Sequence, residues 1–170
     1  MKKIAVLILG LAILSGCGLY KDIKGQIEKT TPKITRKSAP STKIKTVRTD
    51  FQWNGAMKDA EHPAPQDFLN NQTIARVKNN EKIQITVKKK VKLGVMESAY
   101  LSDMMLTMIP ESGVDVTEIS LKELESGVWQ FQMPSKSGKY MYILKEFYGV
   151  GVDIGYYVTY YFGLEVTYHF

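Results

Sequence analysis

Apolar and polar residues alternate along most of the C-terminal two thirds of this chain. Ile83-Gln84-Ile85-Thr86-Val87 alternates strictly, and residues 114–121 do so with one slip. Val128-Trp129-Gln130-Phe131-Gln132-Met133 and residues 140–148 are rich in aromatic and β-branched side chains. A repeat of two is that of a pleated strand with one buried face. Turn-forming residues separate the runs: Asn79-Asn80, Glu111-Ser112-Gly113, Glu125-Ser126-Gly127 and residues 134–138. Short strands punctuated in this way predict an all-β domain, an antiparallel β-sandwich.

The last strand is the most regular. Tyr156, Val158, Tyr160, Phe162, Leu164, Val166 and Tyr168 share one parity and are expected to face the core. Tyr157, Thr159, Tyr161, Gly163, Glu165 and Thr167 share the other and are expected to face mostly solvent. Residues 149–155, rich in glycine, then form a hairpin loop. Within the domain, residues 98–108 are the stretch whose spacing suits a helix, and residues 121–124 suit a single turn.

Two N-terminal regions break this pattern. Met1-Lys2-Lys3 is a basic head, and residues 4–14 are apolar apart from Gly10. That run is shorter than the roughly 20 residues a membrane-spanning helix needs, and it fits a secretory signal peptide. It ends in Leu14-Ser15-Gly16-Cys17, which carries the chain's single cysteine. These four residues resemble the lipobox of bacterial lipoproteins. The resemblance implies a diacylglyceryl group on Cys17 and cleavage after Gly16. It thus implies a protein anchored in the membrane on its extracytoplasmic side, with residues 1–16 removed. Each buried CH2 of an acyl chain contributes about 0.8 kcal/mol to anchoring. A lipidated Cys17 leaves no thiol for a disulfide, a metal or a catalytic nucleophile.

Residues 17–49 read as a flexible basic tether. Residues 18–49 hold nine bases against two acids, a charge of +7, whereas residues 50–170 hold 12 bases against 15 acids, or −3. The basic character of the whole chain therefore belongs to the tether. It can lie on anionic lipid, follow a wall polymer, or act as a self-repelling spacer. Nucleic acid is not expected as a partner outside the cytoplasm.

In the domain, spanning residues 50–170, Ser137-Gly138-Lys139-Tyr140-Met141-Tyr142 resembles the entry to the penultimate strand of immunoglobulin-like sandwiches. The resemblance implies that Tyr140 takes the tyrosine-corner position, its hydroxyl returned to the backbone. Tyr142 stands where that family places a disulfide cysteine, so the bridge is missing here.

Candidate chemistry is sparse. The two histidines, His62 and His169, stand in no zinc-ligand spacing. No nucleophile elbow, phosphate loop or calcium loop is present, and no cofactor is expected. Glu97, Asp103, Glu111, Asp115 and Glu118 form an acidic stretch from which an envelope hydrolase could draw two carboxylates. Met104, Met105 and Met108 could hold a soft ion such as Cu(I), or fill a core. Lys33, Arg36 and Lys37, with Lys88 and Lys90, are candidate contacts to an anionic surface. The lysine run 88–90 also suits a charged edge strand. Tyr157 and Tyr161, four apart on the outward parity, are candidate contacts to a partner, unless another segment covers them. The expected function is binding, to another envelope protein or an envelope polymer, with the hydrolase and the soft-metal site as alternatives.

Overall fold

A computed structural model describes residues 30–53, 62–93, 97–150 and 154–168. The leader, Cys17 and the first part of the tether lie outside these residues. Two sheets face each other. The first is built from β1 (Lys33–Arg36), β2 (Ala39–Ile44), β5 (Lys82–Thr86), β9 (Lys122–Glu125) and β10 (Val128–Gln132), in the order β2-β1-β5-β10-β9. The second follows the order β3-β12-β11-β7-β6. Its members are β3 (Val47–Trp53), β6 (Lys90–Leu93), β7 (Glu97–Pro110), β11 (Gly138–Val150) and β12 (Ile154–Thr167). Two short strands complete it: β4 (Ala75–Lys78), parallel to β12, and β8 (Thr117–Ile119), antiparallel to β7. The predicted all-β sandwich is the observed architecture.

The core lies between the sheets. Ile34, Ile83, Ile85 and Phe131 of the first meet Leu106, Tyr142, Leu144, Val158, Tyr160 and Phe162 of the second. Tyr142 stacks on Phe162, with centroids 5.0 Å apart and planes 8° apart, and tilts against Phe131 at 5.4 Å. The position that would carry a disulfide in an immunoglobulin-like domain is thus filled by an aromatic contact across the sandwich. Tyr140 donates its hydroxyl to the carbonyl of Lys136 at 2.9 Å, as the tyrosine-corner position implies.

Three expectations are corrected. Residues 98–108 are not helical but form the body of β7. Ala99 and Leu101 pack inward before a bulge, and Met104, Leu106 and Met108 pack inward after it. The bulge turns one interval of two into three and so imitates a helical spacing. Residues 121–124 form no isolated turn, since β9 occupies them from Lys122. The tether does not extend to Thr49, because β1, β2 and the start of β3 lie within it. These strands carry little periodic signal. β2 is an exposed edge, with only Ile44 of its six residues buried, and Pro40 sits on it.

The helix of the domain, among the described residues, is α1 (Pro65–Asn71). Pro65 opens it, where a missing N–H costs nothing. Phe68 and Leu69 turn inward onto the outer face of the second sheet, against Ile109, Met141, Ile143 and Tyr161. Gly163 lies beneath them. A Cβ there would stand 2.4 Å from Ile74 Cγ2 and 2.9 Å from Leu69 Cδ2, so the absence of a side chain lets this layer sit down on β12.

Candidate functional site

β7 and β12 are the long outer strands of the second sheet's central group, and each is flanked on its far side by two short strands. β12 pairs with β3 over residues 156–161 and with β4 over residues 164–167. In the two-residue interval between them Ile74 and Leu69 lie over Gly163. β7 pairs with β6 over residues 97–100 and with β8 over residues 106–108. Its N–H at Leu101 reaches the carbonyl of Lys89 at 2.8 Å. Residues 102–105 have no strand on that side among the described residues.

This interval opens into a cleft of about 350 Å3. Its inner wall is residues 101–105 of β7, and its outer wall is residues 118–121 with Glu123. Trp129 reaches it from the first sheet. The alternation of β10 points Trp129 the same way as buried Phe131, toward the opposite sheet. Trp129 is half-buried and packs against the rim of the core. The ammonium of Lys89 lies 5.3 Å from its ring centroid, within cation–π range. Lys89 also forms an ion pair with Glu123, whose carboxyl is held below its ordinary value by that hydrogen bond. Asp103 and Glu118 border the same cleft, and the Met104 N–H donates to Asp103 Oδ1 at 2.7 Å. The cleft thus combines an open strand edge, an aromatic face and three carboxylates against one lysine.

The sequence candidates distribute unevenly around it. Glu111 and Asp115 line a separate depression beside Tyr140 and Lys139, so the acidic stretch is divided between two places. Met104 and Met108 pack on the core, and Met105 has the opposite parity. The sulfurs of Met108 and Met133 sit 3.4 and 3.6 Å from the Tyr142 hydroxyl, which places Met108 in core packing. Arg36 makes a bidentate pair with Glu81 at 2.9 and 3.0 Å and pins the turn before β5. Lys33 and Lys37 are exposed on the β1 side of the first sheet. Lys88 and Lys90 are exposed where the chain enters β6, which is a charged edge strand as the lysine run suggested.

The tyrosine pair is a correction. Tyr161 is 1% exposed. Phe68 meets its ring edge-on at 5.9 Å, and the imidazole of His62 bonds its hydroxyl. Tyr157 is half-buried against Phe147 at 5.3 Å. At Tyr161 the outward parity of β12 is covered by α1 and His62, and Tyr157 rests on Phe147, so the two rings form no exposed patch.

One unusual residue has no counterpart among the sequence candidates. Glu146 is fully buried between the sheets. Its Oε2 lies 3.0 Å from the Tyr148 hydroxyl, and Oε1 has no hydrogen-bond partner among the described residues. Desolvation drives its pKa up to about 8, against the lowering effect of Tyr148. Burial also pushes up the hydroxyls of Tyr148, Tyr156 and Tyr160, helped by the nearby Glu146 carboxyl. A signal was present: 140, 142, 144, 146 and 148 form one inward row, and Glu146 stands in it.

A comparison with known proteins finds no matching family model and no significant similarity to a curated protein or a solved structure.

Proposed function

We propose that this chain is a bacterial envelope lipoprotein, anchored through lipid on Cys17, whose sandwich works as a binding module for a partner protein or an envelope polymer. The observation that carries the binding reading is the open interval on β7, with Trp129 at its floor. The leader and the lipobox residues carry the anchoring reading. An immunoglobulin-like topology is part of the proposal. β1-β5-β10-β9 against β7-β11-β12 follows the strand order of constant-type immunoglobulin sandwiches. The Tyr140 hydroxyl bond is a second support.

The hydrolase alternative draws on Asp103, Glu118 and Glu123 around one cleft. A general acid needs a carboxyl with a raised pKa. In the cleft, Lys89 lowers that of Glu123, while the raised carboxyl of Glu146 is sealed in the core. Binding is therefore favoured over hydrolysis.

Two experiments test the reading. Trp129→Ala removes the cleft's aromatic face while the core around Phe131 stays filled. Affinity of the purified Cys17→Ala chain, which has no lipid to insert, for isolated envelopes should fall at least about tenfold when Trp129→Ala is added, corresponding to roughly 1.4 kcal/mol. Unchanged affinity would remove the cleft from consideration. Cys17→Ala should move the protein from the membrane fraction to the soluble fraction, and persistence at the membrane would contradict lipid anchoring.

A further inference from the structure

We infer that the open interval on β7 takes an extended peptide segment bearing lysine or arginine, added as a strand between β6 and β8. The assignment rests on the binding reading above and names its ligand class. β6 ends its pairing at Tyr100, β8 begins at Leu106, and Leu101 is held by Lys89. Residues 102–105 are left, a length of roughly 13 Å at about 3.3 Å per residue, room for about four residues of extended chain. In the shorter interval on β12 the side chains of Ile74 and Leu69 lie over Gly163, whereas this one borders a cavity. An extended segment paired to such an edge gains affinity from main-chain hydrogen bonds and specificity from alternate side chains.

The lining sets the sign of the ligand. Glu123 already engages the cleft's lysine, Lys89, which leaves Asp103 and Glu118 as its remaining negative charges. The Trp129 ring holds the Lys89 ammonium over its face, so a cation on this surface is chemistry the site already uses. Asp103 occupies the Met104 N–H with its own carboxylate. A ligand carbonyl taking that N–H would release Asp103 to pair with a ligand lysine or arginine.

The test uses the full chain in detergent and the blocked pentapeptide Lys-Val-Lys-Val-Lys. Three controls accompany it: the Glu-Val-Glu-Val-Glu counterpart, a backbone N-methylated form of the lysine peptide, and free lysine amide. Amide chemical shifts report the location and calorimetry the affinity. The lysine peptide should shift the amides of residues 102–105, bind more weakly as salt is raised, and lose about tenfold in affinity in Asp103→Asn. N-methylation should cost at least about tenfold, and the glutamate peptide should not bind. Equal binding of the N-methylated peptide or of free lysine amide would overturn strand addition. Equal binding of the glutamate peptide would overturn the charge assignment. If the lysine peptide leaves these amides unmoved while Trp129→Ala still lowers envelope affinity, the peptide assignment fails and the binding reading stands. If Trp129→Ala leaves that affinity intact, the binding reading itself fails.

Discussion

Glu146→Gln stabilises the folded domain at and above neutral pH and flattens its dependence on pH. Glu146 is buried among Leu144, Tyr148, Tyr156, Val158 and Tyr160, in a core that offers its charge one hydroxyl. The Tyr148 hydroxyl stands 3.0 Å from Glu146 Oε2 and 3.1 Å from the carbonyl of Lys88. A tyrosine has one proton, and a carbonyl only accepts. Both contacts are hydrogen bonds when Tyr148 donates to Lys88 and a protonated Glu146 donates to Tyr148. Geometry and desolvation therefore agree on a neutral carboxyl. Its folded pKa is raised to about 8 from an ordinary 4.5.

The sign follows from proton linkage. Between those two values the folded state holds a proton that the unfolded state has released, so stability falls as pH rises. The contribution is whole below pH 4.5, declines through neutrality and levels off above pH 8. The total loss is about 5 kcal/mol at 1.36 kcal/mol per pH unit. Arg48 acts on Tyr160 in the opposite sense. Glu81 works in the other direction. Burial raises its pKa, but Arg36, Ser38 and the Lys78 N–H outweigh that and leave it lowered. Its contribution is lost only in acid, so the wild-type optimum should lie on the acid side of neutrality. Urea midpoints from about pH 3 to 9 would read both effects. A glutamine variant with the wild-type slope would refute the assignment of Glu146.

Tyr142→Ala should be the most damaging single substitution in the core. The ring is fully buried, stacked on Phe162 and pressed against Phe131 of the facing sheet, and its hydroxyl lies within donating distance of two thioether sulfurs. Truncating an aromatic in such a site costs about 3–5 kcal/mol through lost transfer energy and a residual cavity. Tyr142→Phe keeps the ring and loses only weak O–H···S contacts, so its cost should stay below about 1 kcal/mol. The pair of variants separates the packing from the hydroxyl. Equal losses in equilibrium unfolding would show that the bond to sulfur, not the ring, holds the sheets together.

The sandwich was legible because its inner strands repeat every two residues, and Tyr140 announced its own hydrogen bond. Other features were hidden for identifiable reasons. The bulge in β7 disguised a strand as a helix, since its inward residues pass from Leu101 to Met104. β1 and β2 place single apolar residues such as Ile34 and Ile44 among lysines and prolines, so they read as linker. Tyr161 looked exposed because parity alone cannot see a helix formed ninety residues earlier. Gly163, two positions on, was the local trace of that contact. The cleft depends on where β6 and β8 stop along β7, a matter of pairing between distant segments. Its residues belong to four separate stretches, Lys89, 101–105, 118–123 and Trp129, and no local pattern unites them.

If the interval on β7 is where this protein meets its ligand, a cross-linker placed there captures a neighbour that one placed elsewhere does not. A photo-cross-linking residue in place of Met105, inside the cleft, and another in place of Lys43, on the far edge of the first sheet, put that claim to a direct test in intact cells. A discrete adduct is expected from position 105, absent from position 43, and lost when Trp129→Ala is added. Adducts of equal yield from both positions, or an adduct at 105 that survives Trp129→Ala, would contradict it.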